Sequence, residues 1–103
     1  MARILVVEDD DRLRELLERQ LVRLGHHVLA VADVATALGR GRAGELAVVH
    51  LGVPGGGWDR LGVPVVGTSG GPRHAPVPPG VVELLHKPYT LAELDEVIGR
   101  HTR

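Results

Sequence analysis

The sequence predicts a three-layer α/β domain with a five-stranded parallel sheet. Short apolar runs rich in valine and leucine alternate with amphipathic segments along the 103 residues, an order that favours right-handed crossovers and parallel pairing. The core must be aliphatic, because the chain has one Trp, one Tyr and no Phe. Valine-rich runs are typical of strands buried on both faces. A single domain over residues 1–103 is expected from this length.

In the first half, residues 4–7 form a short apolar run and are predicted as a buried strand. Asp9, Asp10 or Asp11 can cap the helix that follows, and Gly25 stops it. That helix has leucines at helical spacing and i,i+4 ion pairs on the opposite face: Leu13, Leu16, Leu17, Leu21 and Leu24, with Arg14–Glu18 and Glu15–Arg19. Residues 28–31 are the second strand, and a weaker helix with Val34 and Leu38 inward runs from Asp33 to about residue 42.

In the second half, strands are predicted at residues 46–49, 63–66 and 81–85. Thr90 and Glu93 form a capping box that opens a last amphipathic helix. Residues 52–62 hold five glycines, and residues 70–80 hold four prolines and three glycines. Because such composition breaks helices, the third and fourth helices are expected to be shortened or absent, and Trp58 is expected to pack over the sheet left bare.

Composition excludes several classes of function. The net charge is −1 and no basic run is present, so we expect no nucleic-acid partner. The longest apolar run is too short to cross a membrane. With no cysteine, there is neither a disulfide nor a thiolate metal site. No signal-peptide pattern opens the chain, so a cytoplasmic location is the expectation, and no cofactor is expected.

Polar groups follow four of the predicted strands. Glu8 and Asp9 come after the first strand, His50 after the third, residues 68–69 after the fourth and residues 86–88 after the fifth. In an open parallel sheet, ligands bind outside the carboxyl ends of the strands. The sequence therefore predicts one crevice that collects these groups.

Four motifs occur in order along the chain: residues 6–9, His50 with Pro54, residues 64–69 and Lys87-Pro88-Tyr89. Together they resemble the ordered signature of the response-regulator receiver domains of two-component signalling. The resemblance covers the whole chain and implies a flavodoxin-like sheet of order 2-1-3-4-5. In that family an acidic pair holds Mg²⁺ and an aspartate after the third strand accepts a phosphoryl group from a histidine kinase. A hydroxyl residue and a lysine contact the phosphoryl oxygens.

By position, the resemblance makes Glu8 and Asp9 the acidic pair, Lys87 the lysine and the bond to Pro88 a cis peptide bond. The hydroxyl residue is Ser69 or Thr68, and the spacing from Pro64 favours Ser69. Lys87 also stands out without the family, because it is the only lysine beside eleven arginines. A compact ammonium fits a tight carboxylate pocket that a planar guanidinium does not.

Four departures from the family coincide. His50 occupies the acceptor position, and an imidazole neither forms an acyl phosphate nor suits Mg²⁺, which prefers oxygen ligands. Leu84 stands at the family's aromatic switch position, three residues before the lysine. With the third and fourth helices degenerate as well, we expect that aspartyl phosphorylation does not control this chain.

The acidic pair and Lys87 can be an internally neutralised structural network or a working binding site. For His50 several roles stay open. It can be a structural histidine bonded to Asp9 or Glu8, or a pH-sensitive group. It can also be a weak ligand, with Asp9, for Zn²⁺, Ni²⁺ or Mn²⁺, or a phosphohistidine. Mg²⁺ is not expected to bind.

The leading hypothesis is an atypical, stand-alone receiver-like signalling protein that acts through protein contacts. Its partner is a protein, with a homodimer through the fifth strand and the last helix as one form. The alternative is a metal- or small-ligand-sensing module that uses the crevice of Glu8, Asp9, His50 and Lys87, with loops 52–62 and 70–80 responding. An enzyme with His50 as general base ranks last, because no oriented nucleophile or oxyanion site accompanies it; the chain is therefore expected not to be an enzyme.

Overall fold

A computed structural model describes residues 2–40, 44–53, 55–70 and 76–102. Five strands, three α-helices and one 3₁₀ turn follow each other along the chain. They are β1 (Arg3–Val7), α1 (Asp11–Arg23), β2 (His27–Val31), α2 (Val34–Gly39), β3 (Leu46–His50), the 3₁₀ turn (Trp58–Leu61), β4 (Val65–Ser69), β5 (Glu83–His86) and α3 (Leu91–His101).

The five strands form one parallel sheet in the order β2-β1-β3-β4-β5. Val6 of β1 pairs in register with Val48 of β3, which in turn pairs with Val66 of β4. The predicted flavodoxin-like topology, with only three α-helices among the described residues, is confirmed. Because all strands run the same way, their carboxyl ends lie along one edge, where the candidate site forms.

The sheet is buried on both faces, since successive side chains of a strand point to opposite sides. In β1, Ile4 and Val6 face a core shared with α1 and α3, whereas Leu5 and Val7 face the layer of α2 and the 3₁₀ turn. Strands β1 and β3 are therefore continuous apolar runs rather than alternating ones.

On the face of the sheet that holds Leu5 and Val7, the covering layer has α2 and the 3₁₀ turn as its only helical elements among the described residues. Trp58 helps to cover this face. Its ring packs against the buried residues on this face, and its Nε1 donates a hydrogen bond to the carbonyl of Pro79 (3.3 Å). Gly57 and Gly62, at φ 80° and 73°, bracket the 3₁₀ turn in left-handed conformations that favour glycine. The described residues between β4 and β5 contain no helix. The expected packing of Trp58 over the bare sheet is confirmed.

Helix α1 departs from its predicted pattern. Asp10 caps it through bonds from the backbone N–H groups of the first turn, and only its C-terminal half packs deeply, through Leu17 and Leu21. Leu13 and Leu16, on the apolar face of the helix, are 41% and 51% exposed. They lie in the first half of the helix, where no residue is buried. Arg14, expected to pair with Glu18, contacts Asp11 and the carbonyl of Glu8 instead, while the predicted Glu15–Arg19 pair is present.

Several predicted boundaries shift by a few residues. Strand β4 continues to Ser69, and β5 begins at Glu83 and ends at His86, because β4 pairs with β5 beyond the apolar run. Strand β2 starts one residue earlier than predicted, at His27. Helix α2 ends at Gly39, and residue 42 lies outside the described residues, as do Pro54 and part of loop 70–80. The capping box of Thr90 and Glu93 is present as predicted. No helix in the described part of the chain has the length and apolar character to cross a membrane.

Candidate site at the carboxyl edge of the sheet

The structure brings Glu8, His50 and Lys87 together at the carboxyl ends of β1, β3 and β5. Glu8 is 3% exposed. Its backbone N–H donates to the carbonyl of Val31, which extends the pairing of β1 with β2 by one residue (3.1 Å). Its Oε2 accepts the backbone N–H of Asp10 (3.2 Å). The carboxylate is therefore fixed in place at the strand end.

Lys87 reaches the centre of this group. Its Nζ donates to Glu8 Oε1 at 3.4 Å and to His50 Nδ1 at 3.3 Å. Its backbone N–H bonds to the carbonyl of Ser69 (2.8 Å), and the peptide bond to Pro88 is cis, as the resemblance implies. The buried carboxylate thus has a cation supplied by the chain itself.

His50 contacts a different partner from the one expected. A hydrogen bond to Glu8 or Asp9 was predicted, but His50 Nδ1 lies 4.0 Å from Glu8 Oε1, beyond hydrogen-bond reach. Its nearer partner is the Lys87 ammonium, which has only protons to donate. A hydrogen bond between the two therefore needs His50 Nδ1 as the acceptor. The predicted hydrogen bond to Glu8 is therefore absent, and the Lys87 ammonium lies within 3.4 Å of both the imidazole and the carboxylate.

Gly52 holds the other side of the imidazole, and sequence reasoning missed it. A Cβ on Gly52 would lie 2.7 Å from His50 Nε2, closer than real contacts allow. The ring therefore occupies the space that a larger residue at position 52 would fill. The only signal in the sequence was a glycine two residues after the histidine, in a loop already rich in glycine.

Asp9 completes a group of three potential metal ligands. One ligand atom each from Glu8, Asp9 and His50 lies within 4.8 Å of the others. Glu8 is buried, His50 is half-buried and Asp9 is exposed, so the group opens to solvent on the Asp9 side.

The two candidate hydroxyl residues occupy different places. Thr68 is 1% exposed, and its Oγ1 is buried without a hydrogen-bond partner among the described residues. It lines a groove against α1. Ser69 is the last residue of β4, half-buried, and pairs in register with His86. Ser69 as the residue at the family's hydroxyl position stays a prediction.

Two neighbours of the crevice have shifted pKa values. Hydrogen bonding from the backbone N–H of Leu13 lowers the pKa of Asp10, which caps α1. Burial, and then the charge of Glu8, raise the pKa of Tyr89. Asp10 therefore serves as a helix cap, and Tyr89 stays a neutral phenol beside the site.

A second charged group lies away from the crevice, between β5 and α3. Glu83 accepts hydrogen bonds from Arg100 Nε (3.1 Å) and lies 2.8 Å from His101 Nε2, while Arg100 also contacts Glu96. The bonds from Arg100 lower the pKa of Glu83. This group ties the edge strand to the last helix.

Comparison with known proteins found no matching family model and no matching curated protein. Solved structures do match. NtrX from Brucella abortus is 26% identical over 97% of this chain at a TM-score of 0.83, and this chain spans only 26% of NtrX. The receiver domain of a sensor histidine kinase from Pseudomonas aeruginosa, with magnesium coordinated in its active-site cleft, is 26% identical at a TM-score of 0.81, over 97% of this chain and 96% of that one.

The response regulator TrrA, in a complex with the histidine kinase ThkA, has a TM-score of 0.82 over the full length of both chains at 22% identity. These likenesses show that the chain has the receiver fold. They also support a role in two-component signalling. The residues at the carboxyl edge decide what form such a role can take.

Proposed function

We propose that this chain is an atypical receiver-like signalling protein that acts through protein contacts and is not controlled by aspartyl phosphorylation. One observation carries the proposal: His50 stands at the acceptor position with its Nδ1 bound by the Lys87 ammonium, which also binds Glu8. The lysine that would contact a phosphoryl group is engaged within the protein. We propose no enzymatic activity for it, and a cytoplasmic location belongs to the same proposal.

The chemistry of the acceptor position supports this. Transfer to an aspartate needs a carboxylate oxygen as nucleophile, and an imidazole has none. His50 Nδ1 lies 3.3 Å from Lys87 Nζ, and a nitrogen that accepts a proton from this ammonium uses the lone pair that attack on a phosphoryl donor would need. Phosphorylation of Nε2 would have to fit against Gly52.

The residues present do not suit Mg²⁺, the metal that the family implies. Mg²⁺ requires near-ideal octahedral oxygen coordination. Here an imidazole replaces one oxygen donor, and Glu8 Oε1 lies 3.4 Å from an ammonium. We therefore propose that the internal ammonium, rather than a metal, balances the buried carboxylate.

The test is treatment of the protein with acetyl phosphate and Mg²⁺, followed by intact mass spectrometry before and after brief exposure to alkali. We expect no phosphoryl adduct. Alkali hydrolyses an acyl phosphate and spares a phosphohistidine, so it identifies the residue type of any adduct. A stoichiometric alkali-sensitive adduct would refute the proposal. The H50D variant is the matched control, because it restores a carboxylate at the acceptor position.

The contact surface that we propose is the edge strand β5 with α3. Among the described residues β5 pairs only with β4, which leaves its other edge without a neighbouring strand. The half-buried Glu83 and the exposed Glu96 and Arg100 form a charged group across this face, and Val82 beside it is 49% exposed. A second copy of the chain is the first partner to test.

Sedimentation equilibrium over a range of protein concentrations measures this directly. Arg100→Ala should weaken a dimer formed through this face. Arg19→Ala, which removes an exposed arginine of an i,i+4 pair on α1, should leave the dimer unchanged. A monomer at all concentrations would exclude the homodimer and leave a different protein as the partner.

A second function, a transition-metal-sensing module, is favoured by the clustering of Glu8, Asp9 and His50 within 4.8 Å. Imidazole with carboxylate suits Zn²⁺ and Mn²⁺ better than Mg²⁺. Calorimetric titration with the three ions tests it, because binding of Zn²⁺ in preference to Mg²⁺, lost in an Asp9→Asn variant, would support it. Absence of heat at millimolar metal would remove it.

A further inference from the structure

A groove lies between α1 and residues 87–89. Its volume is about 410 Å³, within the range of roughly 300–1,000 Å³ typical of small-ligand pockets. Its walls are mostly apolar, formed by Leu13, Leu16, Leu17, Pro88 and Tyr89. The exposure of Leu13 and Leu16 is explained by their position at its mouth.

Two residues that line this groove each have a buried oxygen with no hydrogen-bond partner among the described residues. The two oxygens are Thr68 Oγ1 and Gln20 Oε1. Thr68 is 1% exposed. A buried polar atom left unpaired is costly, so native proteins rarely keep one without a partner. Two such atoms on residues that line one apolar groove point to a ligand that supplies hydrogen bonds.

The charge at the end of the groove favours a neutral ligand. Glu8 and Lys87 both line it, but they bind each other at 3.4 Å. A charged ligand would have to break this pair or be buried without a counter-ion, which is unfavourable. An amide oxygen such as Gln20 Oε1 only accepts, so the ligand must donate.

We propose that this groove is a binding site for a small neutral molecule with a flat apolar body and one N–H or O–H donor. The apolar body lies between the α1 leucines and Tyr89, and the donor bonds to Thr68 Oγ1 or Gln20 Oε1. The site is independent of the proposed function, since it needs neither His50 nor phosphorylation.

The probes are indole, which carries a ring N–H, and benzothiophene, which has nearly the same shape and lacks the donor. Each is titrated into the labelled protein, and the leucine methyl and backbone amide NMR shifts are recorded. We expect saturable shifts at Leu13, Leu16 and Leu17, with an indole dissociation constant at or below about 1 mM. Benzothiophene should bind about fivefold more weakly, the effect of one lost neutral hydrogen bond.

Two variants identify which protein oxygen accepts the hydrogen bond from the indole N–H. Thr68→Val and Gln20→Met keep the side-chain size and remove the oxygen, and at least one of them should reduce the indole preference to near unity. Thr102→Val, which removes a hydroxyl from the far end of α3, should leave it unchanged. Absence of saturable leucine shifts, or equal binding of both probes to the unaltered protein, would overturn the proposal.

Discussion

Replacing Lys87 by methionine keeps most of the side-chain volume and removes the cation beside Glu8. The two charges lie 3.4 Å apart, and the Glu8 side chain is 4% exposed against 25% for Lys87. Coulomb's law gives about 1 kcal/mol at this separation in water and about 5 kcal/mol at an effective dielectric constant near 20. The net effect is smaller than this upper value, because Lys87 is partly hydrated and its replacement also removes the cost of its desolvation. We therefore expect the variant to lose about 2 kcal/mol of unfolding free energy.

The companion variants separate this interaction from packing. Glu8→Gln should cost less, about 1 kcal/mol, because the partly exposed lysine can regain water. The double variant should be less destabilised than the sum of the single changes, with a coupling energy of about 1–2 kcal/mol. Arg19→Met, at an exposed ion pair, should change stability by no more than about 0.5 kcal/mol.

Urea unfolding measures the stability of all four variants. Circular dichroism follows the helices, and Trp58 fluorescence follows the core between the sheet and α2. Coincident transitions would establish two-state unfolding. At an m-value of about 1–3 kcal/mol/M, the Lys87→Met change should lower the midpoint by roughly 1 M. A shift no larger than that of Arg19→Met, with additive single changes, would refute Lys87 as the internal counter-ion.

The remaining predictions concern the imidazole and the β5–α3 charges. Gly52→Ala should displace the His50 ring, since the new methyl would lie 2.7 Å from Nε2, and cost about 1–3 kcal/mol. Imidazole ¹⁵N shifts report the ring, and Gly39→Ala, which meets nothing within 4 Å, should leave them unchanged. Glu83→Gln should cost about 0.5–1 kcal/mol at pH 7, a modest value because Arg100 is 45% exposed. The folded-state pKa of Glu83 is lowered from its ordinary 4.5, so its contribution is present above that pH and lost as pH falls through the folded-state value. Unfolding curves of this variant and the parent protein should therefore converge in acid, and a constant difference down to pH 3 would contradict this.

The sequence predicts the meeting of Glu8, His50 and Lys87 because each follows a strand of one parallel sheet, and the ends of such strands share an edge. It does not predict that Lys87, rather than His50, is the nearer partner of Glu8, since that depends on side-chain positions within one ångström. Nor does it predict that Leu13 and Leu16 are exposed. Helical spacing identifies an apolar face, but not how far that face extends beyond the sheet it covers.

The most direct test of the central claim, a retained site framework without a phosphorylation switch, is the oligomeric state of the H50D variant. A third carboxylate should increase its affinity for Mg²⁺ and allow it to take one phosphoryl group from acetyl phosphate. Leu84 stands at the switch position, and no helix links β4 to β5 in the described residues. We therefore predict the same sedimentation behaviour with and without the phosphoryl group, with NMR shifts confined to the crevice. A large phosphorylation-dependent change in oligomeric state would contradict the account.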